Sequence, residues 1–143
     1  MNDTVFDTTV VAYSNSDLRA RKKGNSLDRR IRLIERFVRG GFRLRYNTRL
    51  LGEYEEHIRE YRNDVIELFF SMLDSNMAIR VPRNNLSRQE HQHAIEQRWP
   101  SHDQHLIAAA LGGTRPVIYV TESQLANCAK RIKRVFSIRI SKV

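Results

Sequence analysis

Four separate segments of the chain carry side chains of the kind that bind divalent cations. One acid follows a short apolar segment near the start, one lies in a helix-like stretch, and one begins an alanine-rich segment. A pair of polar residues follows a later apolar segment. These residues are Asp7, Glu53, Asp103, and Glu122 with Ser123. Carboxylate oxygens are the protein ligands that Mg²⁺ prefers, so a fold that gathers these segments would build a Mg²⁺ site.

These acids belong to a strongly basic protein, with a formal net charge of +9. Basic residues concentrate in 19–49 and 130–142, whereas 53–74 is acidic. Arginine predominates, and its planar guanidinium suits bidentate phosphate contacts. A carboxylate metal site in a cationic protein indicates phosphodiester chemistry on nucleic acid. The residues expected to contact the nucleic acid are Arg19, Arg21, Lys22, Lys23, Arg43 and Arg45.

Length and composition favour one folded domain over residues 1–143. The apolar fraction of 41% is ordinary for a globular protein. No apolar segment is long enough to span a membrane, and the first residues lack signal-peptide character. The single cysteine, Cys128, is expected to be a buried apolar side chain. We therefore expect a reduced, cytoplasmic protein that does not enter the membrane.

The expected strands are short segments of β-branched and aromatic residues. Asp7 interrupts or ends the first, and the segment 117–121 is continuously apolar, as in a strand buried on both faces. The full set is 4–6 with 9–13, 42–46, 117–121 and 136–140.

Helices are expected between these strands, from apolar spacing and from capping residues at their starts. Two starts, at Ser87 and Ser101, have the spacing of a capping box. The expected first or capping residues are Ser26, Thr48, Asn63, Ser87, Ser101 and Ser123. Alternating strands and helices predict an α/β fold, a three-layer α/β/α sandwich with a mostly parallel sheet. The apolar segment 68–73 is compatible with a homodimer.

Four motifs, in the same order along the chain, resemble those of PIN-domain nucleases. They are Val5-Phe6-Asp7-Thr8-Thr9, the segment 45–54 around Glu53, Asp103 before the alanine-rich segment 104–110, and Thr121-Glu122-Ser123 after an apolar strand. Thr9 stands where the family most often has asparagine, and the fourth acid is displaced, so that either Glu122 or Ser123 fills its position.

The resemblance implies an endoribonuclease that depends on Mg²⁺ or Mn²⁺ and hydrolyses RNA phosphodiester bonds. The implied catalytic and metal-binding residues are Asp7, Glu53, Asp103 and Glu122, with Ser123 as a further metal ligand. Small single-domain members are often toxins of VapBC-type toxin–antitoxin pairs, so a small antitoxin protein is an implied partner.

Parts of the sequence suggest three other functions. A haloacid-dehalogenase-type phosphatase needs a second aspartate two residues after the first, where this chain has Thr9. The histidines around 91–105 lack nearby cysteines, which argues against zinc. A non-catalytic nucleic-acid-binding module on the same fold stays open as the alternative to the nuclease.

Overall fold

The computed structural model describes residues 1–143 and contains eight α-helices and five strands. The strands are β1 (Asp3–Phe6), β2 (Arg43–Tyr46), β3 (Ala78–Arg80), β4 (Val117–Val120) and β5 (Arg139–Lys142). The helices are α1 (Thr8–Ser14), α2 (Ser26–Val38), α3 (Thr48–His57), α4 (Asp64–Met72), α5 (Arg88–Glu96), α6 (Gln104–Ala110), α7 (Ser123–Ala126) and α8 (Ala129–Phe136). No helix is both long and apolar enough to cross a membrane.

All five strands form one parallel sheet in the order β3-β2-β1-β4-β5. The chain builds outward from β1 to β3, and then crosses back to place β4 on the other side of β1. This reversal lies between β1 and β4, and in open parallel sheets ligands bind beyond the carboxyl ends of the strands at such a point.

Helices cover both faces of the sheet, which confirms the predicted three-layer α/β/α sandwich. The helices α1, α2 and α4 pack together on one face, and α6 lies across β1, β2 and β4 on the other. Phe6 of β1 is fully buried and its ring contacts those of Phe42, Phe69 and Tyr119 at centroid distances of 5.8 to 6.2 Å. Cys128 is buried, as expected.

The prediction of a strand over 9–13 is wrong, because the chain turns into α1 directly after Asp7. The Asp7 carboxylate accepts a hydrogen bond from the backbone N–H of Thr8, which caps the helix. Val10 and Val11 then lie fully buried on one side of α1. Tertiary burial therefore outweighs the weak helix propensity of these β-branched residues.

Two of the predicted helix caps, at Thr48 and Ser101, differ from the structure. Asn47, and not Thr48, caps α3, because its side chain accepts from the N–H of Leu50. The predicted capping box at Ser101 does not form, since 101–103 make a 3₁₀ turn and α6 begins only at Gln104.

The last third of the chain differs from its prediction in three places. The single helix expected after Ser123 is two helices, α7 and α8, and Ser123 does not cap the first. Phe136 ends α8 and Ser137 is left-handed (φ 57°), so β5 begins later than expected. The strand β3 was not predicted, since its three residues give too short a pattern. The predicted starts at Ser26, Asn63 and Ser87 are confirmed, the last with a complete capping box.

The hydroxyl of Tyr54 joins α3 to the end of β1 by donating to the carbonyl oxygen of Phe6. Tyr54 is fully buried. Tyr54→Phe keeps the ring and removes this bond, so it should lower the free energy of unfolding by about 1 kcal/mol. Denaturant unfolding followed by circular dichroism measures the loss. Tyr61→Phe is the matched control, because Tyr61 is 51% exposed and water replaces its hydroxyl contacts; equal losses in both variants would contradict the role of Tyr54.

Candidate metal centre and nucleic-acid interface

Asp7 lies where β1 ends and α1 begins, at the carboxyl end of the parallel strands, where ligands bind in sheets of this kind. Only 6% of the residue is exposed. One carboxylate oxygen accepts from the N–H of Thr8 at 2.8 Å, and the other lies 3.3 Å from the hydroxyl of Thr9. The cap and the strand thus fix the position of this carboxylate.

Glu53 projects from α3, which Asn47 ties to the second half of the chain. The fully buried Asn47 side chain caps α3 and also donates to the carbonyl oxygen of His105 at 3.0 Å. One oxygen of Glu53 accepts from the hydroxyl of Thr8 at 2.9 Å. Its other oxygen lies 2.9 Å from Nε2 of the buried His105, an ion-pair distance without well-aligned hydrogen-bond geometry. Glu53 therefore faces the start of α1, next to Asp7.

Asp103 is the last residue of the 3₁₀ turn that precedes α6. The indole N–H of Trp99, a buried residue, donates to the Asp103 carbonyl oxygen at 2.8 Å and anchors this turn. The Asp103 side chain lies 3.2 Å from Nε2 of the exposed His102 and is itself only 14% exposed.

Glu122 and Ser123 follow β4, the strand next to β1. Glu122 is exposed, and its side chain makes no capping hydrogen bond to α7. The Ser123 hydroxyl instead accepts from the ammonium of Lys142 at 2.9 Å. Just before them, the hydroxyls of Thr121 and Thr9 lie 2.6 Å apart, which joins β4 to the start of α1.

The carboxylates of these segments act on one another's pKa values. Burial raises the pKa of Asp7 to about 6, and the negative charges of Asp103 and Glu122 add to this effect. Burial also raises the pKa of Asp103, with further increases from Glu122 and Glu53 that His102 and His105 partly offset. Ionised Asp7 is thus destabilised by its neighbours as well as by its surroundings.

Glu53, which is half-buried, behaves differently from Asp7 and Asp103. Burial acts to raise its pKa, but the His105 ring, the Thr8 hydroxyl and the charge of Arg49 outweigh burial, so the pKa is lowered. Arg49 is one turn before Glu53 on α3, and its guanidinium lies 3.7 Å from the carboxylate. Glu53 therefore stays ionised at neutral pH.

The four acids approach one another without forming a compact set of ligands, and no three His, Cys, Asp or Glu side chains of the chain are grouped closely enough to hold a metal ion. Like charges repel, and Glu53 and Asp103 are drawn toward histidines. The donors are nonetheless hard carboxylate oxygens, and a cation would relieve the repulsion that raises the pKa of Asp7. The carboxylate oxygens of these residues therefore suit a Mg²⁺ or Mn²⁺ ion as ligands.

No family model matches the chain, and no curated protein matches it significantly in sequence.

The predicted nucleic-acid contacts divide into two groups. Arg43 and Arg45 lie on β2 and pair with the buried Asp3 at the opposite, amino end of the sheet. Arg45 is only 12% exposed and donates to the carbonyl oxygens of Ala109 and Leu111. These contacts hold the fold together, and we do not include either arginine in the site.

The other group precedes α2. Arg21 pairs with the buried Asp28 at 2.8 Å and with Glu35 at 3.0 Å, whereas Arg19 is 92% exposed and pairs with Asp17. Lys22 and Lys23 are exposed. Of the predicted contacts, these two lysines and Arg19 stay open to a polyanion in solution.

Sequence reasoning missed the residues that position the acids. Thr8, Asn47 and His105 each hold Glu53 or its helix in place. Asn47 had a signal, because asparagine before a helix is a strong cap. The Glu53–His105 contact had none, since it depends on a pairing across 52 positions that only the fold brings about.

Asp7 should make stability depend on pH in a defined direction. The pKa of Asp7 in the folded protein is about 6, above the ordinary value of 3.8. The contribution of Asp7 to the free energy of unfolding is therefore fully present below pH 3.8 and is lost as the pH rises through about 6. Asp7→Asn removes this loss. In metal-free buffer it should raise the free energy of unfolding by up to about 3 kcal/mol near pH 7.5, and by little near pH 4.

Denaturant titrations at the two pH values measure this difference. The control is Asp74→Asn, because Asp74 is exposed and its removal should change stability little at either pH. A destabilisation of Asp7→Asn at the higher pH would show that Asp7 is not repelled by its neighbours.

Proposed function

We propose that the protein is a metal-dependent endoribonuclease whose site lies at the carboxyl ends of β1 and β4. The observation that carries this proposal is the burial of Asp7 at the carboxyl end of β1 with no salt bridge, where Asp103 and Glu122 add to the effect of burial in raising its pKa to about 6. Three carboxylates from distant segments thus act on one another at the reversal point of the sheet. A fold gains no stability from such an arrangement, which favours a role in binding a cation.

Two further features support this choice. The four acidic motifs resemble those of PIN-domain nucleases, in the same order along the chain. The net charge of +9 favours a polyanionic substrate, even though the acids themselves are negative.

Asp7, Glu53, Asp103 and Glu122 would hold one or two Mg²⁺ or Mn²⁺ ions. When bound, such an ion supplies an activated water for in-line attack on phosphorus and stabilises the charge on the leaving oxygen. Thr8 and His105 orient Glu53 toward the site, and the Asn47 cap fixes the helix that carries it. Thr9 and Thr121 join the segments that carry Asp7 and Glu122. We assign Glu122 to the fourth position, since the Ser123 hydroxyl is engaged by Lys142.

The proposal extends to a toxin role, with a small antitoxin partner, and to a homodimer. The first follows from the family resemblance alone. For the second, Leu68 and Tyr61 expose about half of their surface, 50% and 51%.

Substitution of Asp7, Glu53 or Asp103 should abolish cleavage without unfolding the protein. Asp7→Asn, Glu53→Gln and Asp103→Asn keep size and remove charge, so each should cut RNA at least about a hundredfold more slowly than the parent with Mg²⁺ or Mn²⁺ present. Glu55→Gln is the matched control for Glu53→Gln, because Glu55 is exposed on the same helix, and it should cleave at the parental rate.

Thermal unfolding gives a second readout that does not need activity. A cation that binds only the folded state stabilises it, by about 2.7 kcal/mol at a hundred times its Kd. Mn²⁺ should therefore raise the Tm of the parent and of Glu55→Gln, and raise that of Asp7→Asn much less. Parental cleavage by Asp7→Asn would exclude this site, and RNA binding without cleavage by the parent would favour the non-catalytic alternative.

A further inference from the structure

A basic cleft lies beside the carboxylates at the same end of the sheet. It has a volume of about 430 Å³ and is lined by Ser26, Arg29, Arg30, Thr121, Lys142 and Val143. The two arginines belong to the start of α2, and Lys142 ends β5. Three cationic side chains and no acidic one therefore face this cleft.

No carboxylate pairs with these three cations, in contrast to seven arginines elsewhere in the protein. Ion pairs with aspartate or glutamate engage Arg19, Arg21, Arg32, Arg43, Arg45, Arg49 and Arg83. In the cleft, Arg29 donates to the carbonyl oxygen of Gly24 and to the Ser26 hydroxyl, and Lys142 donates to the Ser123 hydroxyl. All of these acceptors are uncharged.

Arg30 is the most constrained of the three. Its guanidinium lies over the ring of Tyr13, 5.3 Å from the centroid, and its Nε is buried with no hydrogen-bond partner. Burial lowers the pKa of Arg30, and the neighbouring charge of Arg29 lowers it further. An anion in the cleft would relieve the repulsion between the Arg29 and Arg30 guanidinium groups. The 13-residue α2 begins here, and its dipole adds to the attraction.

Thr121 connects this cleft to the carboxylates. It lines the cleft, its hydroxyl lies 2.6 Å from that of Thr9, and the Thr9 hydroxyl lies 3.3 Å from Asp7. A nucleic-acid backbone could therefore run from the cleft to the carboxylates across the carboxyl ends of the strands.

We propose that the cleft of Arg29, Arg30 and Lys142 binds a phosphate of the substrate backbone, next to the phosphodiester that the carboxylates hold. This inference rests on the proposed function, and it names the side of the site along which the RNA lies. Guanidinium and ammonium groups bind phosphate oxygens, whereas nothing in the cleft reads base edges. The contact should therefore be independent of sequence, and equal for RNA and single-stranded DNA.

Binding of a fluorescent single-stranded RNA in EDTA, across a series of salt concentrations, tests the cleft without chemistry. The variant is the triple substitution Arg29→Gln, Arg30→Gln and Lys142→Gln. The control is Arg115→Gln, Lys133→Gln and Arg139→Gln, which removes equal charge from a cleft at the amino end of the sheet. The cleft triple should reduce the slope of log K against log salt by about 0.7, because the cleft holds one phosphate and each lost single-strand phosphate contact changes the slope by about 0.7.

The cleft triple should also bind RNA at least about tenfold more weakly than the control triple at about 0.1 M salt. The single variants Arg29→Gln and Lys142→Gln affect exposed side chains and keep the test valid if the triple does not fold. Equal slopes for the cleft and control variants would overturn the proposal, as would a loss confined to RNA with DNA binding unchanged. If the cleft variants lose binding but the parent cleaves no RNA with Mn²⁺, the phosphate site stands and the nuclease assignment fails.

Discussion

The main constraint on this structure is the free-energy cost of placing negatively charged side chains at the edge of a hydrophobic core. Asp7 is buried at the end of the central strand, and Asp103 and Glu122 raise its pKa further. The surrounding contacts hold this arrangement in place despite its cost. The Asp7 carboxylate accepts from the Thr8 N–H and so caps α1. The Tyr54 hydroxyl donates to the carbonyl oxygen of Phe6 at the end of β1, and the contact between the Thr9 and Thr121 hydroxyls joins α1 to the end of β4. Under the proposed function, a cation would neutralise this repulsion.

The two ends of β1 show the same point by contrast. Asp3 and Asp7 are four residues apart and both buried, with 2% and 6% of their surface exposed. Asp3 is paired with Arg43, approached by Arg45, and accepts from the N–H of Thr114. No arginine or lysine pairs with Asp7, although the protein has 25 basic residues. Arg29, Arg30 and Lys142, which pair with no carboxylate, lie instead in the neighbouring cleft.

Local patterns were sufficient to predict the α/β class, the parallel sheet and most helix starts, because burial and capping leave strong signals. They failed where tertiary contacts decide. The β-branched segment after Asp7 is a helix because it is capped and buried. Neither Ser101 nor Ser123 caps a helix, and the Ser123 hydroxyl contacts Lys142 instead. The order of the acids along the chain suggested a common site. His105, which contacts Glu53, and the carbonyl groups that Arg45 contacts lie more than fifty positions away from these residues.

Anomalous diffraction from crystals soaked in Mn²⁺ tests the central claim most directly, because it locates the cation without relying on activity. The account predicts a manganese peak beyond the carboxyl ends of β1 and β4, with Asp7 and Asp103 as ligands, Glu53 turned toward it, and Glu122 rather than Ser123 in the fourth position. Manganese bound only elsewhere on the protein, or no peak near Asp7 at saturating Mn²⁺, would contradict it.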